Sequence, residues 1–211
     1  MGSDTALLFD EGSHTYTVDG RVVPNVTRVL DLLGTYASIP DEVLDWKSEI
    51  GKAVHKATEL YDQDDLVYES LDPAIVGYVD AWITFREEVV PGILAIEQRV
   101  YSPIEHYAGT VDRIVDIYYC GFNRTMPLEI KCTAQTHNVH HLQTAAYALA
   151  YKRDPQLAGK HRLSIGGYRA CVYLFKNGKY KLEFHGDLEG CAATFFGLLN
   201  VYNWLNKEGK L

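Results

Sequence analysis

The chain has 211 residues, 47% of them hydrophobic and 23% charged, which is the size and composition of one globular domain. Its formal net charge of −8 argues against a protein coated with basic residues for duplex DNA, although a local basic groove is compatible with it. No apolar run approaches the roughly 18 residues that cross a bilayer. The N-terminus also lacks the basic start and apolar segment of a signal peptide, so we expect a cytoplasmic protein without a membrane partner.

The N-terminal part of the chain, residues 1–92, predicts a β-hairpin followed by helices. Alternating apolar residues indicate three short strands, at 6–9, 14–18 and 21–23. Asp19-Gly20 is typical of a hairpin turn between the last two of them. Asn25 or Thr27 would then cap a helix that ends at Gly34.

Longer helices follow these strands. Apolar residues recur at helical spacing from Leu44 to Tyr61, which predicts one or two helices after Pro40, with acidic residues in the first turn. Residues 62–71 are acidic and polar, and their simplest interpretation is a surface loop. A further helix is predicted over residues 74–90, and Pro91-Gly92 breaks it.

A predicted hairpin at residues 109–131 carries the most chemistry in the chain. Successive side chains of a strand point to opposite faces, so Glu129 and Lys131 share one face, about 6.6 Å apart along the strand. If the two strands pair, Asp112 approaches them on the same side of the sheet. Two carboxylates beside a lysine form a divalent-metal site with a cation aimed at whatever the metal binds. The same alternation also fits an ordinary half-exposed hairpin, and this stretch alone does not decide between the two.

A strand and a helix flank the predicted hairpin. Residues 93–102 predict a strand that carries Glu97, and residues 137–152 predict a helix with an apolar stripe. Gln143 and Tyr147 lie four residues apart on that helix and therefore share a face.

A C-terminal hairpin and helix complete the chain. Residues 165–175 and 179–185 alternate as strands around the Asn177-Gly178 turn, and Asp187 begins a terminal apolar helix. We therefore expect an α/β (mixed α+β) fold with a central mixed β-sheet flanked by helices. We expect a single domain, 1–211. Its N-terminal hairpin and helices span residues 1–92, its catalytic core spans 93–152, and its C-terminal hairpin and helix span 165–207.

Histidines and cysteines are further candidate metal ligands in this sequence. His137 and His141 can share a helix face near His140, but no third ligand is evident nearby, so we expect no zinc. The four cysteines are widely spaced and contain no Cys-x-x-Cys pair, at positions 120, 132, 171 and 191. They predict free thiols rather than a disulfide framework.

Four short motifs follow one another along the chain: GKAVH at 51–55, GTVD at 109–112, EIK at 129–131 and QTAAY at 143–147. In this order they resemble the PD-(D/E)XK nuclease superfamily, in its RecB-like and phage exonuclease branch. Each motif is weak alone, but the order and spacing together are hard to obtain by chance. The resemblance implies a restriction-endonuclease-like core in which the Asp strand and the Glu-x-Lys strand are adjacent.

The resemblance also implies roles for single residues. Metal ligands for one or two Mg²⁺ or Mn²⁺ ions would be His55, Asp112, Glu129 and the backbone carbonyl of Ile130, with Glu97 as a further acid. Catalysis would rest on Asp112, Glu129 and Lys131, the lysine orienting or deprotonating the attacking water and offsetting charge at the phosphate. The lysine region and the DNA would be supported by Gly51, Gln143 and Tyr147.

The expected function is a metal-dependent deoxyribonuclease, in the first place an exonuclease of recombination, repair or phage genome processing. A structure-specific or single-strand endonuclease on the same fold stays open, as does a non-catalytic DNA-binding or assembly subunit. Iron–sulfur relatives carry one early and three late cysteines, whereas this chain has none before Cys120, so we expect no such cluster. DNA is the expected partner, and a homo-oligomer or a recombination partner protein stays open.

Overall fold

A computed structural model describes residues 6–89, 92–119, 121–133, 135–157 and 159–211. The strands of these residues are β1 Leu7–Asp10, β2 Thr15–Val18, β3 Arg21–Val23, β4 Gly92–Ser102, β5 Tyr107–Tyr119, β6 Phe122–Lys131, β7 Arg169–Leu174 and β8 Tyr180–His185. The helices are α1 Val26–Asp31, α2 Asp41–Asp62, α3 Val76–Val89, α4 Val139–Arg153 and α5 Leu188–Lys207, with a 3-10 turn at Tyr68–Ser70. Within this described part of the chain, none of the helices has both the length and the apolar character of a bilayer span.

The predicted fold class is confirmed, because a mixed sheet flanked by helices forms the centre of the molecule. Five strands lie in the order β4-β5-β6-β7-β8, and a small separate sheet has the order β1-β2-β3. β6 and β7 run parallel, whereas the other neighbours in both sheets are antiparallel. α4 lies between β6 and β7 in the chain and forms the crossover that a parallel pair requires.

Helices cover both faces of the large sheet. α4 and α5 pack on one face together with α1, around buried residues such as Ala146 and Phe195. α2 and α3 pack on the other face, where Trp82 contacts the same core as Leu128 and Ile130. The alternation along β6 therefore has the predicted direction, with Leu128 and Ile130 in this core.

The small sheet packs against the ends of β4 and β5. Tyr16 of β2 is buried there with Tyr101 and Ala108. A short bridge joins Asn25 to Ala108 at the start of α1. Of the two predicted caps of α1, Asn25 and Thr27, the cap is Asn25, because its side chain accepts a hydrogen bond from the Arg28 amide at 2.7 Å.

Two predicted segments differ from the structure. Residue Asp62, expected in a surface loop, is the last residue of α2, and its side chain is 0% exposed. The first strand of the C-terminal hairpin begins at Arg169 rather than at residue 165, because Gly166 and Gly167 have φ of +97° and +69°, outside the strand region. The predicted helix end at Val90, the breaker Pro91 and the thiol of Cys120 lie outside the described residues, whereas the other three cysteines are free thiols.

Candidate metal centre

The candidate site lies at a fork between β5 and β6. Their pairing ends at Arg113 opposite Leu128, beyond which β5 pairs only with β4, and β6 only with β7. Asp112 and Glu129 stand at this fork and partner backbone groups there. The Asp112 amide donates to Glu129 Oε1 at 3.2 Å, and the Ile130 amide donates to Asp112 Oδ2 at 2.7 Å. Both carboxylates are thereby fixed in position.

His55 and Glu97 reach the fork from two other elements. His55 of α2 donates from Nε2 to the Ile130 carbonyl at 3.2 Å, and its Nδ1 lies 3.3 Å from Asp112 Oδ1. Glu97 of β4 has φ of +45°, a left-handed conformation that is unfavourable for a residue with a side chain. His55, Glu97 and Asp112 each offer one ligand atom, and these atoms lie within 4.8 Å of one another. Such a set can hold a divalent cation.

Glu129 stands beside this group of three without belonging to it. Lys131 Nζ donates to Glu129 Oε2 at 3.0 Å, while Oε1 accepts from the Asp112 amide. Both oxygens of Glu129 thus have partners within the protein. The Ile130 carbonyl, another predicted ligand, likewise accepts from His55. The geometry therefore brings all the predicted acids together and gives Glu97 a more central place than the sequence did.

Several ionisable groups lie close together at the fork and shift one another's pKa values. Burial, followed by the nearby Asp112 carboxylate, raises the pKa of Glu97 and of Glu129 to about 7. Burial also opposes ionisation of Asp112, but His55 and Lys131 outweigh it and lower the pKa of Asp112 to about 2. For Lys131, burial alone would lower the pKa, yet the carboxylates of Glu129 and Asp112 raise it. A cation among these carboxylates would relieve their mutual repulsion.

The predicted supporting residues line the same cavity, whose volume is about 680 Å³. Gln143 Nε2 donates to the Tyr147 hydroxyl at 3.3 Å, so the two share a face of α4 as expected. Gly51 also lines the cavity, and a Cβ atom there would meet nothing within 4 Å. The protein's own packing therefore does not require a glycine at this position.

Side chains of the small sheet and several cations complete the cavity wall. The aromatic ones are Phe9, His14 and Tyr16, and the cationic ones besides Lys131 are Lys52, Lys56 and Arg99. Arg99 lies over the Phe9 ring, 5.3 Å from its centroid. The wall outside the fork also contains the acids Glu11 and Glu59, and Lys56 pairs with Glu59 at 3.0 Å, so cations and acids alternate there.

Sequence reasoning missed a buried ionic network behind the fork. Arg113 is 0% exposed; its Nε donates to Asp62 Oδ2 at 2.7 Å and its Nη1 to the Asp112 carbonyl at 2.7 Å. The same Nη1 lies 3.4 Å from Glu97 Oε1. One signal was available: Arg113 occupies a core-facing position in the same strand as Val115 and Ile117, and a buried guanidinium needs a carboxylate partner.

Gly109 was identified only as part of the GTVD motif, and its role in packing was not predicted. A Cβ atom built on Gly109 would lie 2.4 Å from Tyr147 Cε1 and 3.3 Å from Val26 Cγ2. The Tyr147 ring therefore lies directly against the β5 backbone. This contact connects the Gly-x-x-Asp and Gln-x-x-x-Tyr motifs physically, and only glycine permits it.

We expect Gly109→Ala to lower the free energy of unfolding by about 1–3 kcal/mol, because the added methyl group overpacks the Tyr147 contact. Chemical denaturation followed by tryptophan fluorescence measures this change. Gly51→Ala is the matched control in the same cavity, and it is expected to leave stability equal or up to about 1 kcal/mol higher. Equal unfolding free energies for Gly109→Ala and the unmodified protein would contradict the role of this contact.

Comparisons with known proteins do not indicate a function for this chain. No family model matches the chain, and no curated protein matches it. Among solved structures, the crystal structure of SSO0001 is similar over 85% of this chain and 84% of that chain, at 13% sequence identity and a TM-score of 0.35. A similarity at this level carries no argument, so the functional conclusion rests on the residues at the fork.

Proposed function

We propose that this protein is a Mg²⁺- or Mn²⁺-dependent deoxyribonuclease of the PD-(D/E)XK type, which hydrolyses DNA phosphodiester bonds. One observation carries the proposal: His55, Glu97 and Asp112 converge within 4.8 Å in a cavity that also contains Lys131. Two carboxylates and one imidazole are ligands that Mn²⁺ accepts, and the carboxylates also suit Mg²⁺. The donor set therefore fits the cofactor that the resemblance implies.

Residues of three elements would hold the ion. His55, Glu97 and Asp112 are its nearest ligands, with Glu129 and the Ile130 carbonyl as further donors. When bound, such an ion supplies positive charge to a phosphate oxygen and lowers the pKa of water. Asp112 and Glu129 are already fixed by backbone amides at 2.7 and 3.2 Å, so little reorganisation is needed before the reaction.

The protonation state of Lys131 limits the catalytic roles that this residue can have. The carboxylates of Glu129 and Asp112 raise its pKa, so the ammonium form is favoured. An ammonium group donates hydrogen bonds and cannot accept a proton. We therefore assign to Lys131 the orientation of water and the offset of phosphate charge, rather than deprotonation. Its bond to Glu129 at 3.0 Å holds it in place for both tasks.

DNA is the partner in this proposal, and the cytoplasm is the location. Phosphates are attracted by cations, and the cavity wall supplies Lys52, Lys56 and Arg99 next to Lys131. Aromatic rings such as Phe9 offer faces on which unpaired bases can stack. Exonuclease action is the leading form of the proposal, carried over from the branch that the motifs resemble.

A cleavage assay tests the proposal. End-labelled linear DNA and covalently closed circular DNA are incubated with the purified protein in Mg²⁺, Mn²⁺ or EDTA. We expect cleavage with either cation and none in EDTA. Loss of the linear substrate alone selects an exonuclease, and cleavage of the circle selects an endonuclease. Binding of DNA without cleavage in either cation would refute the enzyme and leave a DNA-binding or assembly subunit.

A further inference from the structure

A second group of metal-ligating side chains lies two strands away from the fork, between α4 and β8. It consists of His141 of α4 with Glu183 and His185 of β8, which we call the β8 cluster. One ligand atom of each residue lies within 4.8 Å of the others. We propose that the β8 cluster binds a Zn²⁺ ion. This differs from the sequence-based expectation, in which His141 had no third ligand, because its partners come from a strand far along the chain.

The strongest support is the protonation of His185. Thr144 Oγ1 lies 3.1 Å from the His140 carbonyl and 3.3 Å from the His141 carbonyl. Carbonyl oxygens only accept, so a hydrogen bond from the Thr144 hydroxyl to either of them uses its single proton. With the hydroxyl proton directed to one of these carbonyls, His185 Nδ1, 2.8 Å from Thr144 Oγ1, is the donor of their contact. The other ring nitrogen, Nε2, is left as a bare acceptor with its lone pair available.

This acceptor has nothing to bind within the described residues. His185 is 4% exposed, and its Nε2 atom is fully buried without a hydrogen-bond partner there. An unpaired buried acceptor is unfavourable by roughly 1–3 kcal/mol. Metal-binding histidines show the same arrangement, with one ring nitrogen donating to a neighbouring oxygen and the other on the ion.

Glu183 and His141 supply the other ligand atoms. His141 Nε2 lies 3.3 Å from Glu183 Oε1, so these two atoms already face each other. Lys181 Nζ donates to Glu183 Oε2 at 2.9 Å and holds the second oxygen aside. Glu183 thus presents Oε1 to the cluster, while Oε2 has an outer partner that fixes the orientation of the carboxylate.

Binding requires one movement. The His141 and His185 rings stack with centroids 3.9 Å apart and planes at 17°, so their nitrogen lone pairs lie in nearly parallel planes and do not converge on one point. His141 has to turn about its side-chain torsions, and its 30% exposure leaves room for that turn. To bind an ion through Nε2, the His141 ring carries its proton on Nδ1.

The ligand types select the ion. Two imidazole nitrogens and one carboxylate oxygen form a set that suits Zn²⁺, whereas Mg²⁺ prefers oxygen ligands and retains its waters. The β8 cluster contains none of the residues of the candidate metal centre. The inference therefore stands or falls independently of the proposed nuclease activity.

Isothermal titration with Zn²⁺ tests the inference on untagged, chelator-treated protein. The titrations use a Glu97→Gln Asp112→Asn background, so that the candidate metal centre does not contribute. We expect one Zn²⁺ bound per chain and no binding of Mg²⁺ at the same concentration. His141→Ala and Glu183→Gln each remove a direct ligand. Loss of an outer partner of a metal ligand lowers metal affinity by roughly 10- to 100-fold, so we expect each variant to lower the Zn²⁺ affinity by at least that much.

His161→Ala, a histidine outside the cluster, is the matched control and should leave the Zn²⁺ affinity unchanged. Circular dichroism establishes that His141→Ala and Glu183→Gln fold, which we expect because both side chains are part-exposed. Failure of the background protein to bind Zn²⁺ would overturn the inference. An affinity that is unaltered in both His141→Ala and Glu183→Gln would do the same.

Discussion

Asp112→Asn is expected to lower the rate of metal-dependent DNA cleavage by about 100- to 1000-fold, the range for removal of one charge-stabilising group from an active site. Asparagine retains an oxygen that can accept from the Ile130 amide, so the fork keeps its shape. It lacks the negative charge that holds a cation beside His55 and Glu97. Initial rates with end-labelled DNA at saturating Mn²⁺ measure the effect.

Asp116→Asn is the matched control for this substitution. Asp116 lies on the same strand as Asp112, and its carboxylate accepts from the Thr125 hydroxyl, away from the fork. Its replacement is expected to leave the cleavage rate within about twofold, as for surface changes away from special features. Lys131→Ala is expected to match Asp112→Asn in effect. Cleavage that persists in both Asp112→Asn and Lys131→Ala would show that the reaction takes place elsewhere.

Asp62→Ala is expected to lower the free energy of unfolding by about 3–5 kcal/mol, the cost of removing one partner of a buried ion pair. The side chains of Asp62 and Arg113 are both 0% exposed, and Arg113 Nε lies 2.7 Å from Asp62 Oδ2. Asp62 also accepts from Trp82 Nε1 at 3.2 Å and pairs with Arg86 at 3.0 Å. Without the carboxylate, the guanidinium of Arg113 stays buried with its charge poorly compensated. Urea denaturation with linear extrapolation measures the loss.

Asp65→Ala provides the control, because Asp65 is an exposed acid three residues further along the chain. We expect its effect to be within about 0.5 kcal/mol. The Asp62→Ala protein should also cleave DNA less well, since Arg113 holds the Asp112 carbonyl and lies beside Glu97. A loss of less than about 1 kcal/mol in Asp62→Ala would mean that Arg113 finds other compensation.

Local periodicity was sufficient for much of the fold. A strand alternates with a period of two, so the opposite directions of Ile130 and Glu129 followed from their spacing alone. Asn25 was identifiable as a cap because its short polar side chain reaches the helix amides. These features depend on neighbours within a few residues, which a single sequence displays.

Contacts between elements that are distant along the chain could not be predicted from the sequence. Asp62 looked like part of an acidic loop because its partner, Arg113, comes 51 residues later and on another element. The place of Glu97 depends on the register between β4 and β5 and on a left-handed backbone, neither of which the sequence reveals. For the same reason the partners of His141 on β8 appeared only with the packing of α4 on the sheet.

The fork has a bearing on how this chain would change in the course of evolution. The oxygens of Asp112 and Glu129 partner the amides of Ile130 and Asp112, so folding itself favours acceptors at both positions. A descendant that had become a pseudoenzyme would still be selected to keep them. Acids at positions 112 and 129 are therefore weaker markers of catalysis than Glu97, which accepts no backbone amide of the fork and has Arg113, at 3.4 Å, as its partner there.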